Sequence, residues 1–186
     1  MALTKLNFGG TQQALVAANI PIINSTSMPA NSIIQTKMAS SNGRKDSDST
    51  SWTDTELISL TFDNTLQANS KVLVRFHTTT GEADLDGSWA AALFLSIFEN
   101  STNLGDDTLG LASAGMSWFG DSANAVYTSE RASGELLFTP SVNNGTYTLR
   151  MRCMTAGKNR TVGATNSTHG NMARGNTQVV IQEIRG

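Results

Sequence analysis

The sequence predicts an all-β protein: a jelly-roll-like antiparallel β-sandwich of about eight or nine strands behind an extended N-terminal arm. Three observations carry that expectation. Ser, Thr and Asn supply 20, 23 and 16 of the 186 residues, whereas lysine and glutamate, common on helix surfaces, number five and six. Apolar and polar residues alternate with period two in several stretches. Between those stretches lie clusters of Gly, Asn, Asp and Ser, residues that adopt turn conformations cheaply.

Residues 1–32 show no strong period and hold Gly9-Gly10, Pro21 and Pro29. They read as an anchoring arm whose apolar side chains, Leu6, Phe8, Leu15, Val16, Ile20, Ile22 and Ile23, would grip a neighbour. Residues 33–186 form the sandwich domain. Its first strand is expected at Ile33–Met38. Ile58, Leu60 and Phe62 then alternate with Ser59 and Thr61, and Val72, Val74 and Phe76 with Leu73, Arg75 and His77. Trp89–Phe98, Leu109–Ser113 and Gly134–Phe138 follow. Tyr147, Leu149, Met151 and Cys153 against Thr148, Arg150 and Arg152 make the cleanest alternation. A strand near Thr161–Ala164 precedes a last one, in which Val179 and Ile181 face one way and Gln178, Val180 and Gln182 the other. Turns are expected over Ser40–Ser51, Gly81–Ser88, Asn100–Asp107, Thr165–Asn176 and Val142–Gly145, the last with an Asn-Gly hairpin signal.

Trp89–Phe98 departs from the alternation. Leu93, Leu95 and Ile97 point one way, while Ala92, Phe94 and Phe98 point the other, so both faces want burial. One face enters the core. The other needs a neighbouring subunit, an overlying loop or the arm, which makes Phe94 and Phe98 candidate subunit contacts. Charge is also uneven. Residues 1–149 hold 7 basic and 14 acidic groups, and residues 150–186 hold 6 and 1. Arg150 and Arg152 share an outward face, which suits an acidic neighbouring subunit or a glycan acid, or else a solvated edge that resists aggregation. Trp52 and Trp118 near turns either stack on sugar rings or close the edges of the core.

No set of residues for catalysis, metal or cofactor binding emerges. Cys153 stands alone, so neither an intrachain disulfide nor a cysteine-based metal cluster can form, and it reads as a small buried hydrophobe. His77 and His169 lack zinc-ligand spacing. Glu82, Asp84, Asp86 and Gly87 imitate the opening of an EF-hand, but its twelfth position is Leu93, so an acidic turn is expected there. Ser113 misses the Gly-x-Ser-x-Gly elbow by one residue. A 15% charged chain of net charge −2 disfavours nucleic acid. The longest apolar run, Trp89–Leu95, is too short to span a bilayer, and the opening residues lack a signal-peptide layout, so cytoplasmic synthesis without a membrane anchor is expected.

Several stretches resemble small virion appendage proteins of tailed bacteriophages, those of cyanobacterial phages in particular. These are Met1-Ala2-Leu3-Thr4-Lys5-Leu6, then Ser51-Trp52-Thr53-Asp54-Thr55, Leu60-Thr61-Phe62 and Asn69-Ser70-Lys71-Val72-Leu73-Val74, and the closing Val179-Val180-Ile181-Gln182-Glu183-Ile184. The resemblance implies a jelly-roll-like subunit, usually trimeric, that serves as a tail fibre, head fibre or capsid decoration protein. It carries over no catalytic residue. The chain has no shaft of repeats or heptads, which suits a subunit lying on a shell. The expectation is therefore a non-enzymatic virion protein, made in the host bacterial cytoplasm, that decorates or cements the capsid by seating its arm on other virion proteins such as the major capsid protein. The alternative is a fibre module for host recognition, holding a receptor or host surface glycan in loops around Trp52, Asp84, Asp86 and Trp118.

Overall fold

The computed structural model describes residues 6–8, 11–13, 28–82, 92–114, 130–154, 156, 160–163 and 175–186. Thirteen strands lie within them: β1 (Leu6–Phe8), β2 (Thr11–Gln13), β3 (Ile33–Ser41), β4 (Arg44–Ser47), β5 (Thr53–Thr61), β6 (Lys71–Glu82), β7 (Leu93–Glu99), β8 (Thr102–Asn103), β9 (Ala112–Ala114), β10 (Glu130–Phe138), β11 (Thr146–Cys153), β12 (Arg160–Gly163) and β13 (Thr177–Ile184). Among the described residues there is no helix, hence none long and apolar enough to cross a membrane.

All pairings among the described residues are antiparallel. β3, β5, β6, β7, β9, β10, β11 and β13 fall into the orders β3-β13-β6-β10 and β5-β11-β7-β9. Those orders are two interlocked Greek keys, the jelly-roll arrangement that the alternation pattern predicts. The twelve-residue β6 is the longest of the described strands and the spine of the first sheet. β10 runs along one of its edges, while β13 and then β12 share the other. β8 and β9 line up end to end along the free edge of β7.

The inner faces meet in one core. Val72, Val74, Phe76, Val179 and Ile181 come from the first sheet, and Ile58, Leu60, Leu93, Leu95, Ile97, Tyr147, Leu149 and Met151 from the second. Tyr147 takes Phe62 and Phe138 edge-on, with ring centroids 6.0 and 6.2 Å away.

Two fully buried carboxylates tie loops to this core. Glu183 Oε1 accepts from the Gln67 N–H at 2.7 Å and the Ser70 hydroxyl at 2.6 Å, and its Oε2 accepts from Gln35 Nε2 at 2.6 Å. Glu99 accepts from the Ser141 N–H at 3.0 Å, from the Ser141 hydroxyl and from the Tyr147 hydroxyl at 3.2 Å. With both oxygens of each group occupied, the cost of removing them from water is largely offset.

The structure departs from the predicted pattern in several places. Ser40–Ser51 is not all turn: β3 runs on to Ser41, and β4 pairs with β12. Arg44-Lys45-Asp46-Ser47 has no apolar alternation because β4 is an edge strand. Its charges pair outward, Arg44 with Asp46 and Lys45 with Glu56, both at 2.6 Å. Asn100–Asp107 contains β8, and the strand expected at Leu109–Ser113 begins only at Ala112. Within the arm, β1 and β2 pair with each other, Leu6 opposite Gln13. Leu15, Val16, Ile20, Ile22 and Ile23 lie outside the described residues.

Burial, then the nearby Glu99 carboxylate, pushes the Tyr147 hydroxyl well above its ordinary 10.0. The folded state therefore keeps a proton that the unfolded chain releases, and stability falls as pH rises past 10.0. Urea titrations at stepped alkaline pH should show a falling midpoint in the native protein and a shallower fall in Tyr147→Phe. Cys153 is fully buried, its thiol donates to the Ser47 carbonyl at 3.1 Å, and burial pushes its pKa up to about 11. Iodoacetamide at about pH 8 should leave it unmodified in the native protein and label it readily in urea, because only the thiolate reacts.

Candidate interaction surface

Every residue of β7 is buried, so its outward face needs a cover that ordinary sandwich strands do not. Phe94, Ser96 and Phe98 make that face, and they are 7%, 0% and 5% exposed. The cover comes from the chain itself. Trp52, just ahead of β5, packs edge-on against Phe98 with ring centroids 5.7 Å apart. The Arg150 guanidinium sits 4.3 Å above the centre of the Phe98 ring. Arg152 lies 5.7 Å from the Phe94 ring and 5.9 Å from Trp52. Two residues apart on β11, the arginines leave the same face and cover β7 with their planar heads.

A loop closes the layer from the side. Asn103 Oδ1 accepts from the Ser96 hydroxyl at 2.5 Å and the Gly105 N–H at 3.1 Å, and its Nδ2 donates to the Asp106 carbonyl at 3.0 Å. The Asp106 carboxylate accepts from the Thr108 and Leu109 N–H groups at 2.8 and 2.7 Å, which holds its pKa below the usual carboxylate range. Asp106 thus performs the local backbone bonding expected of aspartate in a turn. The turn presents the Asp107 carbonyl to Trp52 Nε1 at 2.9 Å and to Arg152 at 3.5 Å. Gly110, with φ of 69°, packs so closely on Leu95 and the Trp52 ring that a side chain there would collide with both.

The predicted residues therefore regroup. Trp52, expected either to stack on a sugar in a ligand loop or to close the edge of the core, joins Phe94, Phe98, Arg150 and Arg152, expected at a subunit contact, in one continuous layer. Of the three covers the sequence leaves open for Phe94 and Phe98, the overlying loop is present, so their burial needs no second subunit. Asp84, Asp86 and Trp118 lie outside the described residues, and Leu6 and Phe8 lie in β1. Asn103, Asp107 and Gly110 complete the layer without having been singled out in the sequence; the Asn-Asp-Asp-Gly composition marks a turn but not what the turn covers.

The guanidinium heads have donor capacity to spare. Arg150 donates to the Asn100 carbonyl at 3.2 Å and Arg152 to that of Asp107. Among the described residues neither forms an ion pair, and the Nε of each is buried with no acceptor. Asp54, opposite Arg150 in register, bonds instead to the Glu56 N–H at 2.8 Å, bracing a bulge at which Glu56 has φ of 57°. The layer offers two oriented cations above an apolar base. Among the described residues no group of three or more His, Cys, Asp or Glu converges to hold a metal ion.

No protein-family model matches the chain, and no curated protein matches it at a significant level.

Arg150→Lys keeps the charge but loses the flat stack on Phe98, and it should cost about 0.5–1 kcal/mol in urea denaturation. Trp52→Ala, which strips the cover from Phe98, should cost about 2 kcal/mol or more.

Proposed function

We propose that this chain is a non-enzymatic structural protein of a phage virion, a self-associating jelly-roll subunit that decorates or cements the capsid surface. The observation that carries this reading is the layer of Arg150 and Arg152 over Trp52, Phe94 and Phe98. Arginine and large aromatics dominate the energetics of protein interfaces because they combine apolar area with a rigid polar edge. Here the arginine heads are already held in place by ring faces and backbone carbonyls, so docking would freeze little further motion. Their unused donors suit the carboxylates of an acidic neighbouring protein, the major capsid protein in this reading. The phage-appendage motifs support the same assignment. Four of them overlap strands of the two sheets, Ser51–Thr55 and Leu60–Phe62 on β5, Asn69–Val74 on β6 and Val179–Ile184 on β13, where they supply buried residues. The first segment of the chain would serve as the anchor to the shell.

Trp52 bears on the choice between a shell protein and a receptor-binding fibre. Its ring and N–H are both engaged in closing the outer face of β7, which favours an adhesive face over a sugar-stacking platform.

Antibodies raised against the whole chain should decorate the shell of particles of the virus that carries the gene. Labelling confined to the tail tip would move the assignment to a host-recognition fibre, and unlabelled particles would overturn the virion reading. The full chain carrying Arg150→Ala and Arg152→Ala should rebind stripped shells about tenfold more weakly than the unaltered protein.

A further inference from the structure

The Asn144-Gly145 pair that marks a hairpin in the sequence does not make one. β10 pairs with β6 in the first sheet and β11 with β5 and β7 in the second, so residues 139–145 cross from one sheet to the other. Neither Asn144 nor Gly145 has the positive φ that a two-residue hairpin turn requires. Glycine is needed at 145 for space instead: a side chain there would lie 2.9 Å from Glu99 Cγ. The crossing is pinned on both sides of the pair. Ser141 donates to Glu99, and the Asn143 carbonyl accepts from the Leu66 N–H at 3.1 Å. The Thr146 N–H donates to Asn100 Oδ1 at 3.0 Å, and its carbonyl accepts from the Asn100 N–H at 2.7 Å. Asn144 is exposed between these anchors, and among the described residues the Gly145 N–H has no acceptor.

We infer that Asn144-Gly145 is a site at which the chain modifies itself, turning a side-chain amide into a carboxylate with water as the only co-reactant. The Gly145 nitrogen gives its proton to solvent hydroxide and attacks Asn144 Cγ, and the absence of a Cβ on glycine leaves that approach open. The new N–C bond closes a five-membered imide. The Cγ–Nδ2 bond breaks, and the nitrogen leaves as ammonia with a proton taken from water. A second water then opens the imide at one of its two carbonyl carbons. Opening at Cγ restores an ordinary backbone with an aspartate side chain. Opening at the main-chain carbonyl carbon leaves the backbone running through Cγ, one methylene longer, with a free carboxylate beside it.

The fold separates this site from its twin in the sequence. Of the asparagines, only Asn42 and Asn144 precede glycine, and both are exposed. The Gly43 N–H donates to Ser41 Oγ at 3.0 Å, a bond that must break before its nitrogen can lose the proton and attack. Gly145 has no such bond to break. The product also bears on the structure around it. Gly145 packs against the buried Glu99, so a new carboxylate at the neighbouring residue sets like charges together. The longer backbone pushes Thr146 out of its exchange with Asn100 at the start of β11, next to the core residue Tyr147. Conversion therefore loosens the end of the sandwich that Glu99 holds together.

The full chain, aged in mildly alkaline buffer at physiological temperature and mapped by peptide mass spectrometry, should gain one mass unit at Asn144 about fivefold faster than at Asn42. In concentrated urea the two rates should converge, because both sites share a following glycine and only the fold distinguishes them. Asn144→Gln, at an exposed position, should remove the faster conversion and keep the native circular dichroism. Aged wild-type protein should unfold at a lower urea concentration than fresh protein, whereas aged Asn144→Gln should keep the midpoint of its fresh form. Equal rates in the folded chain, faster conversion at Asn42, a rate difference that persists in urea, or an aged wild-type protein as stable as the fresh one would each overturn the proposal.

Discussion

The strand β7 must be dry on both faces, and much of the second sheet is arranged to meet that demand. Its inward side chains, Leu93, Leu95 and Ile97, enter the core as in any sandwich. Its outward ones include two phenylalanines around a fully buried serine, and no water-facing arrangement suits them. The chain meets the demand with material brought from far along the sequence: a tryptophan ahead of β5, two arginines of β11 and the turn at Asp106. Arginine suits the role because a guanidinium can lie flat on a ring while its edge still meets water or a partner. The cover is therefore also a surface of oriented donors.

The two sheets consequently present unlike exteriors. The second is layered, cationic and tied down by backbone carbonyls. Among the described residues the first exposes Met38 and Leu137 beside Lys71, Arg131 and the Arg75–Glu135 ion pair.

Polar groups in the interior organise the ends of the sandwich. Glu99 and Glu183 are both buried, and each receives its hydrogen bonds from a loop as well as from neighbouring strands or the core tyrosine. An apolar residue at either position would fill the space but leave the loop N–H groups without acceptors. These carboxylates therefore specify loop position as much as they contribute stability. Thr78 and Thr177 do the same at the change of partner along β6, their hydroxyl oxygens 2.6 Å apart where β13 gives way to β12.

Local chemistry in the sequence determined the strands that have one dry and one wet face. β5, β6, β11 and β13 were legible because period-two alternation is a property of adjacent residues, and so was the double burial over Leu93–Phe98, though not what covers it. β4 was invisible because an edge strand made of charges carries no such signal, and β8 was hidden in a turn-forming composition. Only tertiary structure decided the order of strands, which depends on pairings between residues as distant as Ile33 and Ile184. It also decided that Trp52 belongs with Arg150 and Phe98, and that Arg75 stands beside Glu135. Alternation tells which side of a sheet a residue takes, but which residues share that side across strands is set by register, and register is a long-range property.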